Sequence, residues 1–97
     1  MQTSPPAGPA RQLTMGADAH AVLRVDYTLS EPATTELVLC DLLGRVWATV
    51  QPAACQPAGT YSYAHDGARY DLPADVYLLA FYCNGVCLRM RRFAIEP

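Results

Sequence analysis

The segment from Asp75 to Asn84 constrains the fold more than any other part of the chain. It is a nearly continuous run of apolar, β-branched and aromatic residues, and it ends at Asn84-Gly85, a dipeptide typical of tight β-turns. A second apolar run, Val86 to Ile95, follows at once. Because a helix would not stop at Asn-Gly just as a new apolar run begins, we predict a β-hairpin. Its first strand should be central and buried on both faces.

The rest of the chain predicts further short strands separated by turn residues. Strand-like patterns cover residues 22–29, 35–41, 45–50, 58–65 and 69–72, and residues 51–57 are predicted to be a loop. With the hairpin, this gives about seven strands at the spacing typical of an antiparallel β-sandwich. Within the central strand, the shared parity of Tyr77, Leu79 and Phe81 predicts that these three side chains lie in the core.

Composition divides the chain into a linker and one domain. Residues 1–19 are rich in proline and glycine and lack periodicity, so we predict a flexible linker there and a single sandwich domain over residues 20–97. No apolar stretch is long enough for a transmembrane helix, and the start of the chain lacks the pattern of a signal peptide. The net charge of −2 gives no reason to expect nucleic acid as a partner.

Three local patterns predict details of the sheet. Asp41-Leu-Leu-Gly44 is typical of a β-turn in which the Asp side chain caps the start and the glycine takes a positive φ. Trp47 is interpreted as shielded by a neighbouring loop, with a binding platform as the alternative. In the last strand, Leu88 and Met90 have the opposite parity to Phe93 and Ile95. We predict a β-bulge at Arg91-Arg92 to repair the register, the alternative being a second, outer apolar surface under Leu88 and Met90.

The four cysteines leave two interpretations open. The spacing Cys83-Asn-Gly-Val-Cys87 is not that of a zinc knuckle or a thioredoxin-type motif. If the hairpin has a three-residue loop, the two sulfurs face each other, and a Cys83–Cys87 disulfide is geometrically possible in an oxidising compartment. Cys40 and Cys55 would remain for a second bridge. The alternative is that all four are free thiols that act as small apolar residues.

No residue pattern predicts catalysis. His20, His65, Cys83 and Cys87 are scattered over the chain without the spacing of metal ligands. A Cys–His nucleophile pair has no glycine-rich elbow or oxyanion motif beside it. We therefore predict no enzyme activity, no metal site and no cofactor.

Five motifs occur in order along residues 22–95. They are the alternating strand at 22–29, Leu37-x-Leu39-Cys-Asp41-Leu-Leu-Gly44-Arg45-Val46, Pro57-Ala-Gly59-Thr-Tyr61 with His65-Asp66-Gly67, Leu72-Pro-Ala-Asp-Val-Tyr77-Leu-Leu, and Arg91-Arg92-Phe93-Ala94-Ile95. In this order they resemble the C-terminal sorting domain of proteins that the type IX secretion system of Bacteroidetes exports. The immunoglobulin-like domain of flagellar hook-capping proteins has a similar pattern. Two positions depart from it, because Asp75 replaces a glycine and His65 replaces an aromatic residue.

The resemblance implies both a fold and a role. The fold would be an all-β, immunoglobulin-like antiparallel β-sandwich of about seven strands. The role would be that of a noncatalytic address at the C-terminus of a cargo domain, read by secretion-machinery proteins and removed by a sortase-like surface peptidase. The protein would pass through the periplasm and become secreted or bound to the cell surface. The alternative is an immunoglobulin-like accessory module that binds protein or carbohydrate or acts as a spacer.

The last strand is the candidate recognition element. Arg89, Arg91 and Arg92 fall within four residues and precede Phe93 and Ile95. On an exposed edge, they would form a cationic ridge beside unpaired backbone groups, which an acidic groove or an added strand could read. The alternative is that the arginines only keep an edge strand soluble.

Overall fold

The computed structural model describes residues 8–18 and 22–95. The described residues form seven strands and one 3-10 helix, which are β1 (Ala10–Ala17), β2 (Val22–Leu29), β3 (Ala33–Asp41), β4 (Val46–Gln56), β5 (Gly59–Asp66), the 3-10 helix (Gly67–Tyr70), β6 (Asp75–Cys83) and β7 (Val86–Ile95). Every strand pair is antiparallel. Among these residues, the structure contains no helix with the length and hydropathy needed to cross a bilayer.

The strands form two sheets that pack as an immunoglobulin-like sandwich. One sheet has the order β1-β2-β5 and the other the order β4-β3-β6-β7. The predicted hairpin is confirmed, because β6 pairs with β7 across Asn84-Gly85 and both turn residues have positive φ, as a type I′ turn requires. β6 lies between β3 and β7, so it is an inner strand. The prediction of an all-β, seven-strand sandwich is confirmed.

The core lies between the two sheets, and alternate side chains of the inner strands fill it. The prediction for Tyr77, Leu79 and Phe81 is confirmed, since at most 1% of each residue is exposed. The Tyr27 ring of β2 packs against the Phe81 ring at a centroid distance of 4.7 Å and so joins the two sheets. The other fully buried large side chains are those of Leu23, Val25, Leu29, Leu37 and Leu39.

The predicted linker is wrong for residues 10–17. These residues form β1, which pairs with β2 along its whole length and places Ala10 in the core. The register of β1 shifts between Arg11 and Thr14, and Gln12 has a φ of 53°. This irregularity breaks the alternation of apolar and polar residues by which a strand is recognised in a sequence. Residues 1–7 and 19 of the predicted linker lie outside the described residues.

Two further segments differ from the prediction. Residues 69–72 are not a strand, because the Asp66 side chain accepts a hydrogen bond from the Ala68 amide and starts a 3-10 helix instead. Asp71 ends this helix in the left-handed conformation. Residues 51–56 are not a loop, because β4 continues through them and pairs Gln56 with Ala33. The number of strands was therefore correct, but the set of strands was not.

The four-strand sheet has a second apolar surface, on the side away from the core. We call it the outer face, and the register assigns to it Thr34, Glu36, Val38, Cys40, Val46, Thr49, Cys55, Val76, Leu78, Ala80, Tyr82, Cys87, Met90, Arg92 and Ala94. The prediction that β6 is buried on both faces is half correct. Its core face is buried, but Val76, Leu78 and Tyr82 on the outer face are only partly buried. No other element of the described chain packs on this face.

Truncation of Leu79 should reveal how much the core contributes to stability. Leu79→Ala leaves a cavity in a fully buried site and should lower the free energy of unfolding by about 2–5 kcal/mol. Leu43→Ala removes the same atoms from a side chain that is 80% exposed and should change it by less than about 0.5 kcal/mol. Urea denaturation of both variants gives the comparison. A loss below about 1 kcal/mol for Leu79→Ala would show that β6 is not central.

Candidate functional site

The last strand, β7, is an edge strand of the four-strand sheet. It pairs with β6 on one side only, so the backbone groups on its other side have no partner strand among the described residues. Arg89, Arg91 and Arg92 are exposed along it. An edge of this kind can accept an additional strand, and exposed cations beside it protect it from unwanted pairing.

The register of β7 separates the three arginines. The β-bulge lies at Leu88, since Tyr82 pairs with Cys87 and Phe81 pairs with Arg89. The prediction of a bulge at Arg91-Arg92 is therefore wrong. Beyond the bulge the strand alternates regularly, so Arg91 opposes Leu79 on the core side and Arg92 opposes Leu78 on the outer face. The arginines do not form one ridge.

Arg89 and Arg91 lie on the side of the sandwich where β7 faces β1. The Arg89 guanidinium donates a hydrogen bond of 2.7 Å to the carbonyl of Leu13 in β1. Because β7 and β1 are edge strands of different sheets, this contact ties the two sheets together. The Leu13 side chain itself packs against the core. Arg89 therefore has a structural partner, whereas no ion pair or side-chain hydrogen bond to another described residue involves Arg91.

Phe93 and Ile95 anchor the strand and are not available to a partner. Phe93 is only 9% exposed, and its ring lies 6.1 Å from that of Tyr77. Ile95 is half-buried and packs against the same core. Their side chains hold β7 on the sandwich, so the surface that a partner can contact consists of the β7 backbone edge and the exposed arginines.

The turn after β3 is built around the carboxylate of Asp41. Its Oδ1 accepts hydrogen bonds from the amides of Leu43 (2.9 Å) and Arg45 (3.0 Å). Its Oδ2 accepts from the Arg45 guanidinium (2.7 Å) and from the indole nitrogen of Trp47 (3.1 Å). Gly44 has a φ of 84°, and its amide donates to the Asp41 carbonyl. The predicted turn and its Asp cap are confirmed.

The four donors determine the charge state of Asp41. Burial by itself would raise the pKa of the carboxyl group. The Arg45 amide, the Trp47 indole, the Arg45 guanidinium and the Leu43 amide outweigh that effect and lower the pKa from 3.8 to about 2. The carboxylate therefore stays ionised well into the acid range. It acts as the fixed centre of the turn. Because it is ionised near neutral pH, it carries no proton that it could donate there.

Trp47 has a structural role at this end of the sandwich. The edge of its ring packs against the Tyr77 ring at a centroid distance of 5.9 Å, and its nitrogen is bound to Asp41. The residue is nevertheless 45% exposed, so no loop shields it as the sequence analysis predicted. Leu42 and Leu43 at the tip of the turn are also exposed. With Asp75 and Val76, they line a shallow open cavity beside the turn.

The Cys83–Cys87 disulfide, which is one of the two interpretations that the sequence leaves open, is not formed. All four cysteines are free thiols. The turn contains two residues and not three, so Cys83 opposes Val86 and points into the core, while Cys87 opposes Tyr82 on the outer face. Side chains on opposite faces of a sheet cannot be bridged without a movement of the backbone. Burial raises the pKa of the Cys40 and Cys83 thiols, which disfavours the reactive thiolate.

A row of stacked rings closes the side of the sandwich between β4 and β5. Tyr61, Tyr63 and His65 stack on one another with centroid distances of 6.2 and 6.1 Å. Gln56 donates to the Tyr63 hydroxyl (2.9 Å), and Gln51 is 2.9 Å from the His65 ring. His65 thus takes part in this row as an aromatic ring.

Within residues 8–18 and 22–95, no three side chains of His, Cys, Asp or Glu are arranged to hold a metal ion. Burial, with a smaller contribution from the Arg69 charge, lowers the pKa of His65. His20 lies outside the described residues. Asp75, the other departure from the family pattern, does not have a positive φ, so an Asp is accommodated there without backbone strain.

Sequence reasoning missed contacts that depend on the packing of the two sheets. The bond from Arg89 to Leu13 joins residues 76 positions apart, and β1 itself was not predicted. The link from Trp47 to Asp41 spans only six residues, and a tryptophan shortly after an Asp turn was a signal that could have found it. No protein-family model, curated protein or solved structure matches the chain.

Asp41→Asn should change the acid stability of the domain. Because the pKa of Asp41 is lower in the folded state than its ordinary value of 3.8, its contribution to stability is complete above pH 3.8 and is lost as the pH falls toward 2. The difference in Tm between parent and variant should therefore shrink from pH 5 to about pH 2. Glu31→Gln, at an exposed position, serves as the reference for loss of one negative charge. A difference that does not vary with pH would contradict the role of the carboxylate.

Thiol labelling should follow burial in the native protein. Cys55 is exposed and Cys83 is 3% exposed, so an alkylating reagent should modify Cys55 first and Cys83 only after unfolding. Peptide mass spectrometry after timed alkylation measures both rates. Recovery of a peptide in which Cys83 and Cys87 are linked, from material oxidised in the folded state, would contradict the two-residue turn.

Proposed function

We propose that this chain is a noncatalytic sorting domain that directs an attached protein through a type IX secretion system to the cell surface. The carrying observation is the edge strand β7, which combines a backbone edge that has no partner strand among the described residues with the exposed side chain of Arg91. A strand that a receptor can extend is a recognised mode of protein–protein binding. The five ordered motifs of the sequence support the same proposal.

Contacts within the domain reduce the number of β7 residues that are available for the proposed recognition. Phe93 and Ile95 hold β7 in place, and Arg89 binds Leu13. Arg91 is exposed and points toward the side where β7 faces β1. We assign recognition to the β7 backbone edge and to Arg91, and an acidic partner surface would complement this charge.

The Asp-x-x-Gly-Arg motif supports the proposal in a different way. Each of its specified residues has a structural role, because Asp41 binds four donors, Gly44 takes a positive φ and Arg45 pairs with Asp41. A domain that is read as a folded object needs a rigid frame, and this turn provides one. In this proposal the motif therefore has a structural role, and the exposed edge of β7 is the surface that a receptor recognises.

A second candidate function is an immunoglobulin-like accessory module that binds protein. The observation that favours it is the apolar outer face of the four-strand sheet, which no described element covers. This function and the sorting function make different predictions for export, because an accessory module has no need of a particular secretion system.

The export experiment uses a bacterium that carries a type IX system and a reporter with a Sec signal peptide. Residues 1–97 are fused to the C-terminus of the reporter, since β1 would be lost from a shorter fragment. We expect the fusion to reach the cell surface and Arg91→Glu to reduce surface reporter roughly tenfold, as expected when repulsion replaces an attractive contact. Surface and periplasmic reporter are measured by protease accessibility and cell fractionation.

Two matched variants control this experiment. Arg91→Lys keeps the charge at the same position and should be exported like the parent. Arg24→Glu makes the same charge reversal at an exposed position of the other sheet and should also be exported. If the parent fusion stays in the periplasm, the sorting function is wrong. If Arg91→Glu is exported like the parent, the sorting function stands and Arg91 has no part in recognition.

A further inference from the structure

The outer face has a composition that is unusual for a surface in water. Eleven of the fifteen residues that define it are apolar, and at its centre Val38, Cys40 and Ala80 are buried by their neighbours. An antiparallel sheet with one face in solvent normally alternates apolar and polar residues. Residues 76–83 of β6 and residues 37–40 of β3 have instead the continuous apolar composition of strands that are covered on both sides. This composition indicates that a partner covers the outer face.

The two charged residues of the outer face have a symmetric arrangement. Glu36 lies on β3 beside Tyr82, and Arg92 lies on β7 beside Leu78. Ala80 lies midway between the two charges. Glu36 is on the strand to one side of β6, level with the residue two positions after Ala80, and Arg92 is on the strand to the other side, level with the residue two positions before it. From standard strand spacing, each charge is about 8 Å from Ala80, in opposite directions. Neither makes an ion pair or a side-chain hydrogen bond with another described residue.

This arrangement is complementary to itself. A two-fold axis that passes over Ala80, parallel to the sheet and perpendicular to the line from Glu36 to Arg92, exchanges the positions of the two charges. A second copy placed by this axis puts its Arg92 opposite Glu36 and its Glu36 opposite Arg92. The strands of the two copies then cross at roughly 70°, which is closer to orthogonal sheet packing than to aligned packing.

We propose that two copies of this chain associate through the outer face as a two-fold symmetric dimer. The apolar residues around Ala80 form the centre of the interface, and two Glu36–Arg92 ion pairs form its rim. A symmetric dimer buries the same patch on both subunits, so one self-complementary face is sufficient. The dimer is independent of the sorting function, which uses the edge of β7 and Arg91.

The size of the outer face sets the strength of the dimer. Four strands of about nine residues cover an area on the order of 600 Å². A standard interface buries about 800 Å² on each partner. The outer face is therefore at the low end, and the dimer should dissociate on dilution. Charge complementarity at the rim then contributes mainly to the orientation of the two copies.

Sedimentation equilibrium of the full chain measures the dimer Kd of the parent and of variants in which the charges at positions 36 and 92 are reversed. The solutions contain a reducing agent, because Cys55 and Cys87 would otherwise allow disulfide-linked dimers. We expect a monomer–dimer equilibrium for the parent, and a Kd at least about tenfold higher for Glu36→Arg and for Arg92→Glu. The double variant restores both attractive pairs, and its Kd should return to within about threefold of the parent value.

Two further variants separate the specific interface from general charge effects. Glu31→Arg and Arg24→Glu change the net charge by the same amounts at exposed positions away from the outer face, and their Kd should equal that of the parent. Met90→Asp places a charge beside Ala80 on an exposed side chain and should abolish the dimer. Circular dichroism confirms that each variant is folded.

The outcomes distinguish the second copy from other occupants. A parent chain that stays monomeric at millimolar concentration overturns the proposal and leaves the outer face to a different protein. Weakened single variants without recovery in the double variant overturn the proposed symmetry. Recovery in the double variant supports it. A non-specific apolar association would not depend on whether positions 36 and 92 carry opposite charges.

Discussion

The pairing of β3 with β6 is the interaction on which the rest of the structure depends. These two strands form the centre of the four-strand sheet, and their register aligns Leu37 with Phe81 and Leu39 with Leu79 on the core side. The same register aligns Val38 with Ala80 on the outer face. One set of backbone hydrogen bonds therefore creates both the hydrophobic core and the apolar outer face. A shift by one residue would exchange the two sides of each strand.

The ends and sides of the sandwich are closed by polar contacts. The carboxylate of Asp41 holds the turn that begins where β3 ends, and it connects this turn to Trp47. Arg89 ties β7 to β1 on one side, and Gln56 ties β4 to the rings of β5 on the other. The Arg89 and Gln56 contacts join edge strands of different sheets, which share no backbone hydrogen bonds. They leave the backbone edge of β7 without a partner strand in the described part of the chain, and this is the feature on which the proposed recognition rests.

Much of the fold could be predicted because its signals are local. The Asn84-Gly85 turn, the Asp41 cap and the parity of the β6 side chains each depend on residues that are close in sequence. Features that depend on distant pairing could not be predicted. β1 is stabilised by β2 and has a bulge that hides its alternation. The position of the bulge at Leu88 determines which side of the sheet each β7 arginine faces, and the sequence is compatible with more than one position.

The sequence alone determined that the chain is an all-β sandwich with a central hairpin and an Asp-capped turn. The tertiary structure decided which surfaces are available. It buried Phe93, placed Cys83 and Cys87 on opposite faces, and divided the arginines between the edge and the outer face. The physical reason is that a strand's period of two specifies two alternating sets of side chains, but not what each set contacts. Strand order and register make that choice, and they result from packing between segments that are far apart in the chain.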